Sequence, residues 1–324
     1  MRRADFLRLA GLAVVAATTA GCSSPRDGEQ IRLPARRILI PAAPGGGYDL
    51  TARSVAGILL ESEFLDRPLE VLNVPGGGGV LGLSRLMAQR GDSDSILVMG
   101  LGIVGAAVAS APHLDPAEAT PLARLSAEPG AILVHERSDI VDMSDLVERW
   151  RTQPSTVRVG GGSSVGGPDH LFAINVADSI GLATADVVFV PYSGGGDVLT
   201  GLVTGSVDVG FAGAGEMRPY LDAGDLRALA VSSRRPVDGI LAPTLTDLGL
   251  DVEFENWRGF IGPPGMPEAD RTAWTDVLRT LHETDEWKDV LRANLWRDAY
   301  LEDEEFRDFL TAERSSVQDI LQRP

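Results

Sequence analysis

The chain has 324 residues, with 29 basic against 46 acidic residues for a net charge of −17, and is 44% hydrophobic. That length suits about two domains, and that hydrophobic content suits packed cores rather than disorder. The acidic balance excludes a nucleic-acid partner, one cysteine excludes a disulfide framework or cysteine-based zinc site, and the four histidines lack metal-ligand spacing, so neither metal nor cofactor is expected.

Arg2, Arg3 and Arg8 precede a short apolar run from Leu9 to Ala20, and small residues lead into Ala20-Gly21-Cys22. The run falls short of the roughly 20 residues a spanning helix needs and has the pattern of a secretory signal peptide. Cys22 at its end resembles the acylated cysteine of a bacterial lipobox, with Thr19 where leucine is usual. The expectation is a lipoprotein signal over residues 1–22, a polar tether over 23–36, and a mature protein outside the cytoplasm, lipid-anchored to the cell membrane on a periplasmic or cell-surface face.

Four segments then share one grammar of strand, glycine break and helix. Arg37–Ile40 runs into Pro44, Gly45, Gly46, Gly47, Tyr48 and Asp49, then a helical pattern from Leu50 to Leu60. Leu69–Val74 runs into Gly76, Gly77, Gly78 and Gly79, then Val80–Gln89. Thr156–Val159 runs into Gly160–Gly167, with Ser163 and Ser164, then His170–Ile180. Val187–Val190 runs into Tyr192, Ser193, Gly194 and Gly195, then Val198–Val203. Further strands are expected at Ser95–Met99, Ile132–His135, Val207–Ala212 and Leu226–Ser232, and a helical tail at Arg271–Leu281, Trp287–Asn294 and Glu304–Leu321. Strands alternating with helices predict an α/β fold of parallel-dominated sheets flanked by helices, with ligands beyond the carboxyl ends of the strands. Glycine-rich turns there present backbone N–H groups at helix N-termini, which favour an anion. Closing tight turns is the other use of these glycines, and both readings stand at this point. Asp49 and Asp208, at or just beyond such loops, either accept bonds from loop amides and water or cap the structure.

Two catalytic patterns require comparison with their context. Gly100, Gly102 and Gly105, like Gly77, Gly79 and Gly82, match the spacing of a dinucleotide-binding turn, but neither set has the later strand ending in an acid that this site requires. Gly162-Ser163-Ser164-Val165-Gly166 matches a hydrolase nucleophile elbow with Ser164 as nucleophile. It lacks a convincing histidine: His170 belongs to the helix the same turn opens, and His282 sits in a polar helical stretch.

The order of the pieces resembles the Bug/TctC family, the extracytoplasmic solute receptors of tripartite tricarboxylate transporters. The resemblance runs through Pro41–Arg53, Asn73–Gly79, Gly160–His170, Val190–Gly195, Gly205–Asp208, Leu226–Val231, Pro243–Leu245, Trp257–Phe260 and Pro263–Pro267. It implies a two-domain periplasmic-binding-protein fold closing on its ligand, with residues 37–130 and 236–324 in domain 1 and 131–235 in domain 2. It also implies a non-enzymatic receptor, expected to be a monomer, that takes a small carboxylate and delivers it to large and small membrane permease subunits. The ligand would meet backbone groups and side chains among Pro44–Asp49, Gly77–Gly79, Ser163, Ser164, His170, Tyr192–Gly194 and Asp208. An exported serine hydrolase using Ser164 and a ligand-sensing lipoprotein without a transporter are the rival readings.

Overall fold

The computed structural model describes residues 37–61 and 68–322; the signal segment with Cys22 and the tether through residue 36 lie outside the described residues. In chain order, β1 (Arg37–Ile40), α1 (Gly47–Glu61), β2 (Glu70–Asn73), α2 (Val80–Met87), β3 (Ser95–Gly100) and α3 (Leu101–Ser110) form a first βα series. The long strand β4 (Thr120–His135) follows, and then α4 (Met143–Thr152), β5 (Arg158–Gly161), α5 (Pro168–Ser179) and β6 (Val188–Pro191). Next come α6 (Gly195–Thr204), β7 (Val209–Gly213), α7 (Ala214–Asp222) and β8 (Leu226–Val231). The chain ends with β9 (Glu255–Gly262), α8 (Glu268–Glu283), α9 (Asp285–Ala293), β10 (Arg297–Glu302) and α10 (Asp303–Gln322).

The sheet order is β2-β1-β3-β9-β4-β7-β5-β6, with β8 and β10 also paired to β4. Its flanks are parallel, as the strand–helix alternation predicts: β1 with β2 and β3, and β5 with β6 and β7. The centre is antiparallel, because β4 and β9 are crossing strands rather than members of βα repeats. This qualifies the expectation of parallel-dominated sheets at the middle of the molecule.

Strand β4 serves both halves. Thr120–Pro129 pairs with β9, and Gly130–His135 pairs with β7 and β8. The change of partner falls at Pro129-Gly130, where Pro129 has no N–H to give a ladder. The buried hydroxyl of Ser232, just after β8, accepts from Gly130 N at 2.7 Å and donates to the carbonyl of Phe254, just before β9, at 2.5 Å. One side chain thus ties together the three segments that run between the halves.

Each half has its own apolar core. Ile38, Val55, Phe260, Trp274 and Trp287 pack in the first, and Leu133, Val198, Met217 and Val231 in the second. A third cluster, with Leu39, Ile103, Phe172, Phe211, Trp257 and Phe306, continues between them. Helix α10 packs on α3, β4 and α5 and so touches both halves. In the tail, Leu278, Leu281, Leu291, Phe306 and Leu310 are buried as helical spacing predicts. Strand β10 interrupts that tail where no strand is expected from the sequence.

Candidate ligand-binding cleft

The carboxyl ends of β1 and β2 in one half face those of β5 and β6 in the other, so the four glycine-rich loops meet across a cavity of about 350 Å³. From the first half it is lined by Gly46, Gly47, Tyr48, Gly78 and Gly79, and from the second by Ser163, Ser164, Tyr192, Ser193 and Gly194. The loops approach closely: a Cβ on Gly78 would lie 3.2 Å from Ser164 Oγ of the opposite half. A Cβ on Gly162 would lie 2.9 Å from the carbonyl carbon of Gly194, so the two loops of the second half also touch. Only residues without a side chain fit such approaches.

The other residues singled out in the sequence, Pro44, Gly45, Gly77, Asp49, His170 and Asp208, do not line the cavity. Asp49 is buried and accepts from Gly45 N, Arg53 Nε and Asn73 Nδ2, each at 3.0 Å. Burial works to raise its pKa, but those three donors outweigh it and hold the carboxyl below its ordinary value. Asp49 therefore fastens the β1–α1 loop. His170 Nδ1 accepts from Gly166 N at 3.1 Å and its ring lies 4.6 Å from that of Phe189. Burial lowers its pKa, so a neutral imidazole braces the β5–α5 turn. Asp208 pairs with Arg158 through Nε at 2.9 Å and Nη2 at 2.8 Å, and accepts Arg158 N at 2.8 Å. These residues stand where β5 and β7 begin, at the opposite end of the strands from the cleft, so Asp208 is a tie between strands.

The catalytic patterns resolve into packing. A Cβ on Gly105 would lie 1.8 Å from the carbonyl oxygen of Gly166, and one on Gly82 would lie 2.9 Å from Pro41 Cβ. The N-terminus of α3 is occupied by the Tyr48 hydroxyl, which accepts from Ile103 N at 3.3 Å. Burial pushes that phenol up to about 12, so it remains protonated. His282 is engaged elsewhere, 3.0 Å from Asp298 and stacked on Tyr300 with ring centroids 4.3 Å apart. Among the described residues no histidine hydrogen-bonds Ser164, the contact by which a serine–histidine pair is recognised.

Sequence reading missed the charged floor of the cleft. Glu128 on β4 and Arg258 on β9 form an ion pair at 2.9 Å, with side chains only 4% and 7% exposed. Asp169, on the first turn of α5, and Glu216, on the first turn of α7, also line the cavity, with Asn256 beside them. Glu216 accepts from Gly195 N at 2.8 Å, and its own N–H donates to Glu128 at 3.3 Å. Burial, then the carboxylates of Glu216 and Glu128, push Asp169 up to about 8 against the hydrogen bonds from Ser163 and Gly162. Burial and Glu128 likewise raise Glu216. These residues come from four elements far apart in sequence. The one visible signal was Glu128 itself, a charge inside the apolar run Leu125–Val134.

Comparison with known proteins agrees with this architecture. BugT of Bordetella pertussis is 25% identical over 268 residues, covering 81% of this chain and 80% of its own. MatC from Rhodopseudomonas palustris, solved with bound malate, superposes with a TM-score of 0.74 at 23% identity, covering 90% of this chain and 99% of its own. Rpa4515 from R. palustris, solved with adipate, gives a TM-score of 0.78 at 21% identity over 89% of this chain and 96% of its own. These structural likenesses establish the two-lobed periplasmic-binding-protein fold. The model of the tripartite tricarboxylate transporter family receptor, TctC, matches residues 52–323, and the chain belongs to that family of solute receptors.

Proposed function

We propose that the protein captures a small carboxylate in the cleft between its lobes and delivers it to a permease with large and small membrane subunits. The observation that carries this reading is the convergence of four glycine-rich loops on one cavity, where backbone donors at helix N-termini can hold an anion without a surplus of basic side chains. Malate and adipate in the two related structures are small dicarboxylates and support the same class. The lobes of the proposal are residues 37–130 with 236–324, and 131–235, and the protein acts as a monomer without catalysing a reaction. Acylation of Cys22 would hold it at the membrane, and among the described residues no helix is long and apolar enough to cross one.

A thermal-shift screen of carboxylates on the purified protein tests the reading. A ligand at about 100 times its dissociation constant stabilises the native state by about 2.7 kcal/mol, a readily measured shift. Absence of any carboxylate response, with the protein folded, would remove the proposal. Cys22→Ala should release the protein from the membrane fraction with its ligand response intact.

A further inference from the structure

Helix α9 ends in a turn whose residues pack on both halves of the molecule. The N–H of Leu295 donates to the carbonyl of Arg292 at 3.3 Å, and that of Trp296 donates to the carbonyl of Leu291 at 2.9 Å. These are the two bonds of a Schellman motif with Asn294 as the helix cap. The residue after the cap is left-handed in that motif and is usually glycine, because a Cβ is crowded there. Here it is leucine, at φ +54°. A bulky side chain held in that region is strained, and it persists only where its surroundings hold it.

The surroundings belong to the other half. Leu295 packs against the second-half core of Leu133, Val198, Met217 and Val231. Its neighbour Trp296 is buried in the first-half core. Consecutive side chains thus anchor in opposite halves. The second half presents a matching residue in Gly215, on the first turn of α7, where a Cβ would lie 2.0 Å from the carbonyl oxygen of Asn294. Alanine is the better helix former, so this glycine answers to the facing turn and not to its own helix. The turn also abuts the cleft floor: the Arg258 guanidinium lies over Trp296 at 5.0 Å, and the same Cβ on Gly215 would lie 3.2 Å from Glu128 Oε1.

We propose that the α9–β10 turn, Asn294-Leu295-Trp296, is a seam that fixes the angle at which the lobes meet, with Leu295 as its positioning residue. The consequence for capture rests on the receptor reading above; the seam itself does not. Loops from both lobes line the cleft, so they can grip one ligand only at lobe angles that bring them together. Apparent affinity then scales with the fraction of molecules that hold a competent angle. The strain at Leu295 is the local cost of keeping that fraction high.

Spin labels on cysteines introduced at Leu60 and Val203, exposed residues near the ends of α1 and α6, report the separation of the lobes by double electron–electron resonance. The parent protein carries Cys22→Ala so that only the introduced thiols are labelled. Leu295→Gly relieves the turn and removes the side chain, so its melting temperature should stay close to the parent's while the ligand-free distance distribution broadens. Gly215→Ala should displace the distribution from the other lobe, through collision with Asn294. Leu295→Met keeps an apolar side chain of similar reach and should restore the parent's distribution. Titration with malate and adipate should show affinity at least about tenfold weaker in Leu295→Gly and Gly215→Ala, the loss expected when about a tenth of the molecules hold the competent angle. A lowered melting temperature with the parent's distribution in Leu295→Gly would reduce Leu295 to packing and overturn the inference. A broadened distribution with undiminished affinity would overturn the role in capture. If the parent binds neither acid, the receptor reading loses these dicarboxylates, and the distance distributions, which need no ligand, decide the seam alone.

Discussion

Glu128 holds one partner from each lobe: Oε2 accepts from Arg258 Nη2 at 2.9 Å and Oε1 accepts from Glu216 N at 3.3 Å. Removing it leaves Arg258 buried with a charge and no partner, whereas removing both ends removes the desolvation penalty as well. Glu128→Ala should destabilise the protein by about 3–5 kcal/mol, while Glu128→Met/Arg258→Met should recover most of that loss. Urea unfolding of the single and double variants checks the asymmetry. Equal losses in the two would show that the pair acts mainly as a stabilising bond.

Asp169 gives stability an unusual pH dependence. Its pKa rises from 3.8 in the unfolded chain to about 8 in the fold. Between those values the native state holds a proton that the unfolded state has lost, so the contribution of Asp169 to stability falls as pH rises through this window. His170 acts in the opposite direction below its unfolded value of 6.5, because its folded pKa is lowered and the unfolded state is the one that gains a proton. The clean interval therefore lies between about pH 6.5 and 8. Melting temperature should decline across it in the wild type, and Asp169→Asn should flatten the decline and raise stability at its upper end.

Two neighbouring glycines should respond differently to a side chain. A Cβ on Gly46 meets nothing within 4 Å, although the residue lines the cleft. Gly46→Val should therefore keep stability within about 1 kcal/mol while reducing ligand affinity tenfold or more, because the added group occupies ligand space. A Cβ on Gly47 would collide with Arg258 Nη2 at 2.3 Å and Nε at 2.7 Å. Gly47→Ala should destabilise the fold by about 1–3 kcal/mol through that displacement. Denaturation and titration of the two variants separate occupancy of the cleft from damage to its wall.

Ser232 offers a test of the connection between lobes. Its hydroxyl is the partner of the buried Gly130 N–H and of the Phe254 carbonyl. Ser232→Ala orphans both groups and should lower stability by about 1–3 kcal/mol. Small-angle scattering without ligand should also show a broader range of lobe separations in the variant. An unchanged scattering profile would confine Ser232 to a stabilising role.

Much of the architecture was legible because its signals are local. An apolar run, a glycine break and helical spacing recur within about 25 residues, and they located β1, β5 and β6 with the helices that follow them. The beginning of β4 was harder: Thr120–Ala131 is almost wholly buried, so it lacks the alternation by which a half-exposed strand is recognised. β10 was hidden by polar residues, Arg297 and Asp298, whose pairing depends on β4. The cleft loops could be read for the same local reason as the helices they open. Asp208 was legible but misjudged: it opens the strand expected at Val207–Ala212, at the amino end, whereas ligands of such sheets lie beyond the carboxyl ends. Arg258, Asp169 and Glu216 acquire their meaning only from one another, across intervals that no spacing rule spans.

The shared strand also governs the order in which the molecule can be completed. The first half of β4 stays unpaired along its β9 edge until Glu255–Gly262 has been made, and it meets β10 only after Arg297. An N-terminal fragment that stops before Glu255 can pair the second lobe's strands but cannot close the first lobe's share of the sheet, and contacts of such high sequence separation form slowly. With half of its central strand waiting for the last quarter of the sequence, this polypeptide can complete its first lobe only when nearly all of the chain is available.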